Sequence, residues 1–220
     1  MTQRGQMLDD AWYMDYAAGT LRSEGEEVLM SAHVELSPEA KDRVAELERI
    51  GSAILMMAPV NEALPFSAAD ILAMEEESEF EPERAPEAVR EQEAFVPGAL
   101  SQFLRRIDKS VRWEFLGPGL KKAMLWTGDE GEKLWLLKAK PGVAIPHHGH
   151  NGSELTLVLK GSFWDGGQQY RPGDVEEAGL DTEHDIRIDD GGECICLALT
   201  RGKLRYDNPL LKAFQVFTGL

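Results

Sequence analysis

Cysteine is scarce: the 220 residues hold two, Cys194 and Cys196. Standing two positions apart, they cannot staple distant segments, so no disulfide framework is expected and a reducing, cytoplasmic setting is. Basic charge is also in short supply. Lys plus Arg number 23 against 39 Asp plus Glu, a formal net charge of −16. Nucleic acid and anionic membranes reward basic patches, so direct binding to either is not expected, and a partner with a basic surface fits better. No run of about 18 apolar residues occurs, and Met1 to Gln6 lead into a charged segment, so neither a spanning helix nor a secretory signal is expected. Also missing are a Gly-x-Gly-x-x-Gly following a strand, a P-loop, and a Ser or Cys nucleophile in a triad setting, which leaves nucleotide-dependent and triad hydrolase chemistry without support.

What is present divides into two halves. Residues 7 to 60 read as helices. Asp9 to Ala18 carries Trp12, Tyr13, Tyr16 and Ala17 and stops at Gly19. Ser23-Glu24-Gly25-Glu26 has the Ser-x-x-Glu form of a capping box before Val28, Leu29, Ala32 and Leu36. Ser37-Pro38 places a capping hydroxyl before a proline at the first helical position, and Ala40, Val44, Leu47, Ile50 and Ala53 or Ile54 follow at steps of three and four. Trp12, Tyr16, Leu29, Val44 and Leu47 are the expected core of this part. A fourth helix is predicted after Ser67.

Between Glu75 and Glu93 stand nine glutamates and two prolines with little apolar content, the composition of a solvated acidic linker. A short helix around Leu100 to Ile107 is followed by brief runs rich in Trp, Leu and Val, punctuated by Gly or Pro. They are Val111 to Leu116, Leu120 to Trp126, Lys133 to Ala139, Glu154 to Leu159, Ser162 to Trp164, Asp174 to Glu177, Asp185 to Ile188, Cys194 to Thr200 and Lys203 to Tyr206. Short strands at this spacing predict an all-β sandwich or barrel. Pro209 to Gly219 reads as a packed tail. The expected fold class is α+β in two domains: a helical domain over 1–75, an acidic linker over 76–97 and a β-barrel over 98–220.

Four of the five histidines lie between positions 147 and 184. His148-x-His150 puts two imidazoles on one side of an extended segment. Glu154 adds a carboxylate at the start of the next strand, and His184 would arrive from a different strand. Three neutral imidazoles and one carboxylate give a divalent ion a site of net charge about +1 with room for water. The residues alone admit zinc, iron, manganese or nickel. His147 should point the other way, and Glu183 reads as solvated. Trp126, Trp135 and Trp164 read as core or barrel wall. Cys194 and Cys196 face one side of a strand as small buried side chains, with a redox role near the metal as the second reading.

The spacing Gly142, five residues, His148-x-His150, three residues, Glu154, six residues, Gly161 is that of the first cupin motif, and Pro172-Gly173 with His184 resembles the second. With Arg112-Trp113, Glu154-Leu155-Thr156-Leu157-Val158-Leu159-Lys160-Gly161 and Cys194-Ile195-Cys196-Leu197, nearly the whole chain resembles the ChrR-type anti-sigma factors. The resemblance implies a zinc-binding helical domain that clasps an extracytoplasmic-function sigma factor. It also implies a C-terminal cupin (double-stranded β-helix, jelly-roll) domain that holds a second metal, zinc, on His148, His150, Glu154 and His184 and responds to singlet oxygen or peroxide.

The N-terminal zinc motif of that family is His-x-x-x-Cys-x-x-Cys plus an earlier histidine. Here His33 stands with Ser37 and Ala40 at the cysteine positions and Met7 near the earlier histidine. Three of four ligands are replaced, so no zinc is expected there and one metal per chain is expected in the cupin domain. The competing reading is a cupin metalloenzyme of dioxygenase or isomerase type, with the helices as an appendage that leaves a homodimer open.

Overall fold

The computed structural model describes residues 7–57, 67, 95–202 and 204–205. The fourth helix after Ser67, nearly all of the acidic linker and the C-terminal tail fall outside those residues. Among the described residues no helix is long and apolar enough to cross a membrane.

The helices begin and end where local chemistry directs. In α1 (Asp10–Ala18) the Asp9 carboxylate accepts the Ala11 amide, and Gly19, at φ 67, closes the C-terminus through the Asp15 and Tyr16 carbonyls. In α2 (Glu24–Leu36) Ser23 Oγ accepts the Glu26 amide at 3.2 Å. The capping box is only half formed. The Glu26 carboxylate takes the Arg22 amide at 2.6 Å instead of that of Ser23, and its other oxygen pairs with Arg201 at 2.7 Å. In α3 (Pro38–Met57) Ser37 Oγ accepts the Ala40 amide, as the Ser-Pro start predicts. The short helix forms as α4 (Gly98–Arg106), whose first amides, Gly98 and Ala99, are satisfied by Glu35 of α2.

Among the described residues eleven strands follow: β1 (Glu114–Gly117), β2 (Leu120–Thr127), β3 (Lys133–Ala139), β4 (Ala144–His150), β5 (Ser153–Lys160), β6 (Phe163–Asp165), β7 (Gln168–Tyr170), β8 (Val175–Ala178), β9 (Glu183–Ile188), β10 (Cys194–Arg201) and β11 (Leu204–Arg205). They form a six-stranded sheet in the order β1-β2-β3-β10-β5-β8 and a five-stranded sheet in the order β11-β4-β9-β6-β7, with every pairing antiparallel. The strands from β3 to β10 are shared between the two sheets as in a jelly roll, the cupin architecture expected. Nine of the strands coincide with the runs predicted above. The other two are β4, carried through Pro146 and Gly149, and the three-residue β7.

The six-stranded sheet is covered on both faces, which explains why β5 and β10 read as nearly continuous apolar runs. Leu155, Leu157 and Leu159 of β5 and Ile195, Leu197 and Leu199 of β10 join one core with Tyr13, Leu29, Met30, Ala40 and Leu100 of the helices. Val158, Cys194 and Cys196 face the other way, into the space between the sheets, with Phe163, Tyr170, Ile186 and Ile188. At roughly 1.5–3 kcal/mol for each large side chain fully buried, this shared core holds the helices to the barrel strongly.

Of the five residues expected in the helical core, Leu29 and Val44 are buried, whereas Trp12, Tyr16 and Leu47 are only partly so. Tyr13, not among them, is wholly buried. The reason is that α1 packs mainly on the other helices, with the Tyr13 hydroxyl turned to His33 of α2 at 2.8 Å, while α2 lies against β5 and β10 of the sheet. Gly25 shows how close the approach is: a Cβ there would lie 2.6 Å from Leu199 Cδ1.

Candidate metal centre

Strand alternation and register bring the site together. His148 and His150 point inward from β4, and His148 pairs directly with His184 of β9 across a bulge that follows Ile145. All three imidazoles are buried. His184 Nε2 lies 3.0 Å from His148 Nε2 and 3.2 Å from His150 Nε2. His147, between them in sequence, faces outward beside Asp185 at 3.2 Å and Glu183 at 3.7 Å. Glu183 is exposed and paired with Arg205 at 2.6 Å. Both residues stand where the alternation predicts.

The outer ring nitrogens fix the tautomers. His148 Nδ1 is 2.9 Å from the Pro146 carbonyl, and His184 Nδ1 is 3.2 Å from Glu176 Oε1 and 3.4 Å from Asp165 Oδ2. These oxygens accept, so both Nδ1 atoms carry the hydrogen and both Nε2 lone pairs face inward. Lone pairs converging at 3.0–3.2 Å repel unless a proton or a cation stands between them. Tetrahedral zinc with Zn–N bonds of 2.0–2.1 Å would set its nitrogens about 3.3 Å apart, so the donor set fits a divalent ion with only small adjustment.

Glu154 is buried in the same interior. Its Oε1 accepts the Thr156 hydroxyl at 3.1 Å, and its Oε2 has no hydrogen-bond partner. It stands outside the tight cluster formed by the three imidazoles. Asp165 and Glu176 form a second cluster on the far side of His184. Sequence reasoning missed this pair, since both lie on short strands with no motif spacing around them and Glu176 stands beside a second glutamate, Glu177. Only the inward place of Glu176 on β8, next to a core-facing Val175, offered a hint.

The electrostatics follow from burial and crowding. Burial first, then the charge of His184, lowers the His148 pKa to about 4. Burial followed by the other two imidazoles lowers His150 to about 4 as well. Burial raises Glu154 to about 7, with the Glu176 charge adding to the effect. Burial works against a charged His184, but the Glu176 hydrogen bond and the Glu176, Asp165 and Glu154 charges outweigh it and raise its pKa.

Cys194 and Cys196 face the inter-sheet space with their sulfurs 3.7 Å apart. The Cys194 thiol beside it and then burial push the Cys196 thiol well up from its ordinary value. Trp135 is buried and Trp126 packs partly buried against the helical core, whereas Trp164 is 41% exposed, because strand alternation gives the interior to its neighbour Phe163.

A jelly-roll barrel carrying inward histidines on facing strands defines a cupin, here with a helical layer laid over one sheet. Residues 102–202 match the family described as the ChrR Cupin-like domain. The chain is 35% identical over 212 residues to the anti-sigma-E factor ChrR of Cereibacter sphaeroides, covering 96% of each chain. It is also similar to the crystal structure of Rhodobacter sphaeroides SigE in complex with the anti-sigma ChrR. That match has a TM-score of 0.70 and 31% identity, and covers 90% of this chain and 100% of that one. The chain belongs to the ChrR family.

Proposed function

We propose that this chain is a cytoplasmic anti-sigma factor that sequesters an extracytoplasmic-function sigma factor through its helical half. The observation that carries the reading is the span of the similarity: it covers the helices together with the cupin barrel, and one of the two relatives is described in complex with a sigma factor. Two features of this chain support it. Its net charge of −16 suits a basic transcription partner. The last turn of α3 leaves Ile54, Leu55, Met56 and Met57 between 65% and 88% exposed, an apolar surface of the kind helix-in-groove recognition uses.

The barrel, on this reading, holds one divalent ion, zinc first among candidates, on His148, His150 and His184, with Glu154 turning its unpartnered oxygen inward as fourth ligand. The ion would supply a charge and a coordination shell that an oxidant can alter. The residues' part is to exclude water and hold the imidazoles in one tautomer. An oxidant such as singlet oxygen or peroxide acting at this centre or at Cys194 and Cys196 would be the signal that releases the sigma factor.

The test is co-purification with the sigma factor encoded beside it, together with transcription from that factor's promoter. A stoichiometric complex that lowers transcription, and that loosens on oxidation only when His148 and His150 are intact, supports the whole reading. Absence of binding, with turnover of a small molecule at the metal, would favour a cupin enzyme instead.

A further inference from the structure

The helical half carries a buried joint to the barrel centred on His33. This side chain is wholly buried, and both of its ring nitrogens are engaged. Nδ1 lies 2.8 Å from the Gly173 carbonyl in the turn between β7 and β8. A carbonyl only accepts, so Nδ1 carries the hydrogen, and Nε2 accepts the Tyr13 hydroxyl at 2.8 Å. The Tyr13 oxygen in turn accepts the Leu8 amide at 3.2 Å. The segment before α1, α1 itself, α2 and the barrel therefore meet at one neutral imidazole. Burial, which lowers the His33 pKa, favours that neutral form.

These residues surround the place where the family resemblance puts structural zinc, and they do not fit it. His33 has no lone pair to spare, Ser37 Oγ is spent on the Ala40 amide at 3.2 Å, Ala40 has no donor, and Met7 Sδ lies 3.6 Å from the Tyr13 hydroxyl. The barrel side is shaped for the contact. Gly173 has φ 94, and a Cβ there would sit 3.0 Å from the Leu36 carbonyl oxygen, so glycine alone lets the turn approach the end of α2 and present its carbonyl.

We propose that the Tyr13–His33–Gly173 hydrogen-bonded chain takes the place of the structural metal of the helical half and fastens that half to the β7–β8 turn of the barrel, a joint that works without any ion. It does not rest on the metal reading of the barrel centre. It does end three residues before Glu176, the carboxylate that holds His184, so the joint lies in the turn that leads into the strand carrying that carboxylate.

The full chain tests this. Ring-nitrogen spectra of the histidine-labelled protein should show His33 as the Nδ1–H tautomer, unmoved by a chelator or by added zinc. Tyr13→Phe keeps the ring and its packing but removes the hydroxyl, and should speed amide exchange around Leu8 and residues 33–37 by about three- to tenfold. Gly173→Ala, which attacks the other end, should do the same. In a His148→Ala and His150→Ala background the chain should retain no tightly held zinc. A His33 resonance that shifts on zinc removal, about one zinc retained in that background, or exchange at the parent rate in both Tyr13→Phe and Gly173→Ala would overturn the proposal.

Discussion

His184 is the residue on which the barrel site turns, because each of its nitrogens has a separate task. Nε2 faces His148 and His150, while Nδ1 is held by Glu176 and Asp165. A carboxylate behind a metal-ligating imidazole fixes the ring and raises its basicity. Glu176→Gln should therefore weaken zinc affinity by about 10- to 100-fold while leaving the ligands in place, measured by competition with a chromogenic chelator. Protonation gives an independent check. His148 and His150, each at about 4, are already neutral above pH 5, whereas Glu154, at about 7, and His184, shifted upward from its ordinary value, hold protons near pH 6. If the proposed ligand set holds the cation, both must release them, so affinity should rise as pH climbs through 6 to 8. Calorimetry in buffers of different ionisation enthalpy should find about two protons released per zinc at pH 6, and fewer at pH 8.

At the scale of elements, α3 and β10 contrast. The C-terminal turn of α3 presents Leu55 and Met56 to solvent, at 75% and 88% exposure, so changing them costs little in stability. Leu55→Asp with Met56→Asp should weaken sigma-factor binding by more than about tenfold, measured by titration calorimetry, while the melting temperature stays near that of the parent. Strand β10 lies between β3 and β5 and is buried on both faces. Leu197→Ala should cost about 2–5 kcal/mol in denaturant unfolding. Cys194 and Cys196 share that burial, and their thiols should resist a thiol reagent in the native chain and react fully once it is unfolded.

Among the described residues, packing runs from the helices into the barrel across the boundary that composition suggests. Helix and sheet residues form a single core, and Arg201 of β10 pairs with Glu26 of α2 at 2.7 Å and with Glu132 at 2.9 Å, both carboxylates being buried. Removing the arginine leaves two buried charges uncompensated, so Arg201→Leu should destabilise helices and barrel together by about 3–5 kcal/mol. Thermal unfolding followed at the helical backbone signal and at the barrel tryptophans should give one coincident transition in the parent. Two separated transitions would contradict the shared core.

The chain's own order of residues was enough for whatever depends on near neighbours. Caps at Ser23 and Ser37, the helical stop at Gly19, the alternation that turns His148 and His150 inward and His147 outward, and the spacing to Glu154 all act within a few residues. Their physics is therefore written locally. Tertiary structure alone decided the rest. Strand register set His148 of β4 opposite His184 of β9 and put Asp165 of β6 and Glu176 of β8 behind it, four strands brought together only by pairing and packing. Packing of α1 against the other helices made Tyr13, and not Trp12 or Tyr16, its buried aromatic, and the seat of α2 on the barrel carried His33 to a carbonyl 140 residues away. Those outcomes depend on which surfaces meet once the loops close, and a one-dimensional pattern does not encode that choice.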